Sequence, residues 1–177
     1  MTRPHLNLVR NVPLPTSAEL VTHLQSLLEP AVTRQLWVAL LDEDDCPLPT
    51  LVPIDVDAEP SLDLADGLAE MLYCLSLDFP GASLVLTLER PGPAEVVDRD
   101  RRWMRALHGA ALGSSARFRG PFLLLADGIH ELDPLDYIGI PWVYSDDGEH
   151  FDYNDESDDA ERDDADGDDD QGFGRPA

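Results

Sequence analysis

Hydrophobic and polar positions alternate along this chain in blocks whose periods change, and each change marks an element. Thr16-Ser17-Ala18-Glu19 has the spacing of a capping box, and Leu20, Leu24, Leu27 and Leu28 follow at helical spacing until Glu29-Pro30 stops them. Gln35 to Leu41 is a short continuous apolar run, which predicts a buried strand. Residues 42–49 read as a turn by composition. Leu51 to Val56 reads as a second strand, and Pro53 places it at a sheet edge or a bulge.

The second half repeats the alternation. Ser61 caps a predicted helix over 62–77, with Leu64, Leu68, Met71, Leu72 and Leu75 on one face and Asp63, Asp66 and Glu70 on the other. Pro80-Gly81 breaks the chain, and Ser83 to Leu88 predicts a third strand. After the Pro91-Gly92-Pro93 loop, Asp98 opens a helix over 98–113. That helix buries Trp103, Leu107 and Ala110 or Ala111, and Gly113 is its stop signal. Pro121 to Ala126 is a fourth strand, Asp127-Gly128 a hairpin turn, and Ile129 to Leu132 the return. The order predicts an α/β fold: a single layered domain with a mixed sheet and about three helices.

Charge adds a boundary. The chain has 177 residues, twelve arginines, no lysine and 36 acidic residues, for a formal net charge of −24. Residues 144–177 hold 15 of the acids against two arginines. Too little apolar surface is present there to offset the entropy of ordering, so a disordered acidic C-terminal tail is expected, leaving a domain over 1–143. So acidic a chain is repelled by phosphate backbones, which argues against direct nucleic-acid binding. No apolar run reaches the roughly 18 residues of a membrane span, and residues 1–15 lack the apolar core of a signal peptide. A cytoplasmic protein with no membrane association is expected.

Candidate chemistry is sparse. His5, His23, His108, His130 and His150 are scattered, with no i, i+4 pair and no H-x-H, so no metal site and no cofactor is expected. Cys46 lies in an acidic turn and Cys74 in a helix, settings that do not activate a thiolate. A nucleophile elbow and a phosphate-cradling P-loop are both missing. Asp98 and Asp100 read as helix-start acids facing the macrodipole. Against the acidic background, Arg90 to Arg119 holds seven arginines and three acids. Arg101, Arg105 and His108 fall on one helix face, which is read either as a solvated face, with Asp98 and Arg102 paired at i, i+4, or as a docking surface for an anion or partner.

The stretch from about Leu51 to Leu132 resembles the RadC-type JAB/MPN domains: helix, apolar strand, Pro-rich loop, then an Asp-initiated helix with a late Ala-Ala-x-Gly. Where that family has H-x-H-P, this chain has Leu88-Glu89-Arg90-Pro91, and its helical Asp corresponds to Asp100 after a shift of one residue. The family holds zinc through two imidazoles and a carboxylate. An aliphatic and a guanidinium cannot take those places, so the resemblance implies a degenerate, metal-free domain in which Leu88, Glu89, Arg90 and Asp100 mark the lost site. The expected function is a non-catalytic protein-binding or adaptor domain whose flexible polyanionic tail meets a protein partner with a basic surface. The alternatives are an enzyme with a metal-independent site built from Glu89, Asp100 and Arg90, or a DNA mimic that occupies a basic partner surface.

Overall fold

The computed structural model describes residues 12–114 and 117–139. All of them fall within the first of two compact units, Met1–Asp147. The acidic run 144–177, and with it the expectation of disorder, lies outside the described residues, as do His5 and His150.

The elements run α1 (Ser17–Leu27), β1 (Gln35–Leu41), β2 (Pro47–Asp55), α2 (Leu62–Asp78), β3 (Ser83–Glu89), α3 (Asp98–Leu112), β4 (Arg117–Leu125), β5 (Gly128–Glu131) and α4 (Leu135–Ile138). The strands form one sheet in the order β2-β1-β3-β4-β5. Every neighbouring pair is antiparallel except β3 and β4, which are parallel and joined through α3. The fold is therefore α/β with a mixed sheet, as the pattern predicts.

Two cores, one on each sheet face, follow from strand alternation. Leu36, Val38 and Leu40 of β1 join Leu84, Leu86 and Leu88 of β3 against Leu68 and Leu72 of α2 and Trp103, Met104 and Leu107 of α3. The opposite face carries Leu41, Val85, Phe122 and Leu124 against Leu20, Leu24 and Leu27 of α1. Every residue of β3 is buried, which is why its sequence shows an apolar run in place of half-buried alternation. The capping box forms as expected: the Glu19 amide donates to Thr16 Oγ1 at 3.2 Å, and the Thr16 amide donates to Glu19 Oε2 at 3.1 Å.

Four details depart from the sequence reading. β2 begins at Pro47, not Leu51, because an edge strand tolerates proline where the missing N–H faces solvent; Pro47, Pro49 and Pro53 all lie in it. The turn before it is correspondingly shorter, closed by Asp42 Oδ1 accepting from the amides of Asp44 and Cys46. β4 begins at Arg117, ahead of Pro121. Between Val85 and Thr87 of its neighbour the register shifts, and Gly120-Pro121 fills the resulting irregularity. Gly120 has φ +110°, and a Cβ there would stand 2.9 Å from the Phe122 ring. The β4–β5 hairpin turns on Ala126-Asp127, one residue earlier than expected, since Gly128 already pairs with Leu125. Finally, Gly113 ends α3 with an ordinary right-handed φ of −75°, and a fourth helix, α4, follows β5.

Candidate functional site

Arg90 leaves the end of β3 with its amide bonded to the Leu124 carbonyl at 3.1 Å, so its side chain starts from a fixed point in the sheet. Its guanidinium is enclosed by the loop it begins. Nε donates to Asp100 Oδ1 at 2.7 Å and Nη2 to Asp100 Oδ2 at 2.8 Å. Nη1 donates to the Pro93 carbonyl and Nη2 to the Glu95 carbonyl, both at 2.6 Å. The two side chains are 4% and 0% exposed. An ion pair so deeply buried is tolerable only because each charge is met by several hydrogen bonds.

Asp100 serves a second purpose. Its Oδ2 also accepts from the Val97 amide at 3.0 Å, back-capping the first turn of α3 from the N3 position. The expected cap role is thus present, but it belongs to a buried ion pair and not to a surface acid. Leu88, the other position aligned with a histidine, is fully buried in the α2–α3 core.

Glu89 points the other way. Its Oε1 accepts from the amides of Val32 and Thr33 at 2.9 and 3.1 Å. Its Oε2 accepts from Gln35 Nε2 at 2.6 Å and Trp37 Nε1 at 2.9 Å. Burial raises its pKa, yet these four donors together outweigh that effect and hold the carboxyl below its usual range. Gln35 and Trp37 have the same parity on β1, which places Glu89 on the α1 side of the sheet, away from Asp100. Of the three residues proposed for a metal-independent catalytic site, the fold unites Arg90 and Asp100 and separates Glu89 from them.

On the outer side of α3 the expected Asp98–Arg102 pair does not form. Asp98 pairs with Arg101 at 2.6 Å, while Arg102 is drawn to Glu59 at 3.1 Å. Glu59 also receives Arg99 at 2.7 Å, so one carboxylate from the loop before α2 clamps two arginines of α3. Burial pushes the Glu59 pKa up, and the arginine hydrogen bonds and charges more than reverse it. Arg101, Arg105 and His108 are all half-buried, so the face they share is not a freely solvated one. His108 Nδ1 lies 3.2 Å from the Tyr137 hydroxyl and its ring meets Phe118 edge-on at 5.7 Å, which ties α3 to α4.

Sequence reasoning missed Glu59 and Tyr137. Both are single residues in short irregular or four-residue elements, with no periodicity to raise them. The only signal for the ion pair was positional: a charge at the end of a predominantly apolar strand has to find its partner close to the protein interior.

The residues do not fit a JAB-type zinc ion. On the alignment that the resemblance implies, one histidine position is a core leucine. The other is a cation already bonded to the carboxylate that would be the third ligand. Among the described residues no three His, Cys, Asp or Glu side chains converge on one point, and no helix is long and apolar enough to cross a membrane. Cys46 has its thiol pKa raised by burial and by Asp42, Asp44 and Asp45, the reverse of an activated thiolate. No protein-family model, curated protein or solved structure matches the chain.

Proposed function

We propose that this chain is a non-catalytic binding domain, a metal-free relative of the RadC-type JAB/MPN domains, and that its acidic residues 144–177 engage a protein partner with a basic surface. The observation that carries the reading is the Arg90–Asp100 pair. Asp100 spends both oxygens on Arg90 and the Val97 amide, and Arg90 spends two of its three remaining donors on loop carbonyls. Such a unit is a structural pin. A carboxylate held by a bidentate guanidinium and a backbone amide, with no exposed surface, is shielded by a cation on the side from which a metal or a proton would have to approach. Glu89 is consumed in the same way by four donors on the other sheet face.

Affinity capture with the full chain tests the reading. The comparison bait carries Asn and Gln in place of the fifteen acids of residues 144–177. Basic proteins retained only by the acidic bait, and released as salt rises toward about 0.5 M, are the expected result. Capture indifferent to neutralisation would move the partner surface onto the folded domain. One zinc per chain that withstands chelation and is lost in Asp100→Asn would overturn the metal-free reading outright.

A further inference from the structure

A groove runs between α1 and the β2 edge of the sheet. His23 and Leu27 of α1 line one side, and Pro47, Leu48, Thr50 and Leu51 of β2 line the other. Of all the residues that line it, only His23 and Thr50 carry polar side chains. His23 and the four β2 residues are each half-buried, so the groove opens to solvent. Burial lowers the His23 pKa, which agrees with an imidazole set against hydrocarbon. An apolar cleft open to water marks an interaction surface.

The chain itself leads there. Ser17 Oγ donates to Glu131 of β5 at 3.0 Å, and the Leu14 amide donates to the Asp45 carbonyl at 3.0 Å, in the turn that opens β2. Arg119 of β4 holds the Leu14 carbonyl, and the Leu14 side chain is buried. Followed backwards from α1, the chain therefore crosses the end of the sheet from β5 toward β2, and what precedes Leu14 continues toward the groove. From Asp45 to Leu51 the β2 side of the groove rises roughly 20 Å. The stretch from Leu14 back to Leu8, fully extended, covers about the same 20 Å.

Residues 1–11 lie outside the described residues, and their sequence suits the groove. Leu6-Asn7-Leu8 puts two leucines on one side of an extended segment. Arg3 and Arg10 are balanced by no acid in that segment, while the turn at which it arrives exposes Glu43 and Asp44. A second copy would bring a net charge of −24 to the same acidic surface. A tethered segment meets no such repulsion and is present at about millimolar effective concentration. We infer that residues 1–11 pack into this groove as a strap, with Leu6 and Leu8 seated between α1 and β2. The inference goes beyond the adaptor reading and stands without it, since it uses neither the acidic run nor the missing zinc ligands.

Methyl-labelled full chain in solution tests it. Nuclear Overhauser contacts from the Leu6 and Leu8 methyls to those of Leu48 and Leu51 are expected. Leu6→Ser combined with Leu8→Ser should increase the relaxation of the Leu48 and Leu51 methyls by a soluble gadolinium chelate. Leu135→Ser, at a leucine 86% exposed on α4, should leave that relaxation unchanged. Absence of the contacts, or equal relaxation in wild type and both variants, would overturn the strap. In a mixture of labelled and unlabelled chains, contacts seen only between chains would seat a second copy in the groove and overturn it as well. The wild-type contacts decide the matter even where the double variant fails to fold.

Discussion

Arg90 and Asp100, ten residues apart in the chain, are joined by two parallel hydrogen bonds of 2.7 and 2.8 Å with almost no solvent contact. Everything between them, the Pro-Gly-Pro loop and the first turn of α3, is fastened to that pair. Removing one partner strands a buried charge, so Asp100→Asn or Arg90→Met is expected to destabilise the fold by about 3–5 kcal/mol. The double replacement Arg90→Met with Asp100→Asn should cost less than the sum of the single changes. Urea unfolding of the four proteins in a double-mutant cycle measures the difference; additive losses would show that the pair is not coupled.

Glu89 sets an acid limb. A carboxyl whose pKa is lower folded than unfolded stabilises the fold above the unfolded value, about 4.3, and that contribution disappears as pH falls through the folded value. The wild type is therefore expected to lose stability below about pH 4.3, in a window to which Glu59 also contributes. Glu89→Gln should be less stable than wild type at pH 7, with the gap narrowing at acid pH. Thermal midpoints from pH 3 to 7 check this, and a gap constant across that range would contradict it.

Gly120 is expected to be intolerant. Its φ of +110° is strained for any L side chain, and the Cβ of an alanine would press on the Phe122 ring at 2.9 Å, at the irregularity where β4 rejoins β3. Gly120→Ala should cost about 1–3 kcal/mol, with Gly67→Ala as the contrast: that glycine is helical, has open space around it and should gain up to about 1 kcal/mol. Equal effects at both positions would show that the backbone at Gly120 relaxes freely.

The capping box of α1 gives a smaller, cleaner number. Thr16 Oγ1 accepts from the Glu19 amide at an exposed helix start, so Thr16→Ala should cost about 0.5–2 kcal/mol with little structural change. Chemical denaturation measures it, and no loss would mean that water replaces the cap without penalty.

The parts of the fold legible in the sequence are those written in repeated positions. β1 is a run from Gln35 to Leu41 and the strand lies there; α2 shows its buried stripe at Leu68 and Leu72; Pro53 implies an edge or a bulge and β2 is an edge. What was not legible depends on single residues meeting across the chain. Asp100 looks like any acid at a helix start, and only the return of the chain past β3 brings Arg90 to it. Glu59 answers two arginines forty or more residues later. α4 has four residues, fewer than the periodicity needs to show itself. Glu89 and Arg90 are neighbours in sequence, yet successive strand side chains leave opposite faces, so adjacency in the chain separated them in space.

The three prolines of β2 bear on how this molecule behaves in a crowded solution. An open sheet edge offers a row of donors and acceptors on which another chain can lie down as an additional strand, the first step toward fibres. With Pro47, Pro49 and Pro53 along that edge, an incoming chain finds gaps where donors belong and cannot extend a continuous ladder. Replacing all three with threonine should shorten the lag before turbidity appears at high protein concentration, and an unchanged lag would assign the protection to repulsion between acidic chains. The same residues that blur β2 in the sequence thus act as a stop on polymerisation, keeping one side of the sheet from recruiting its own kind.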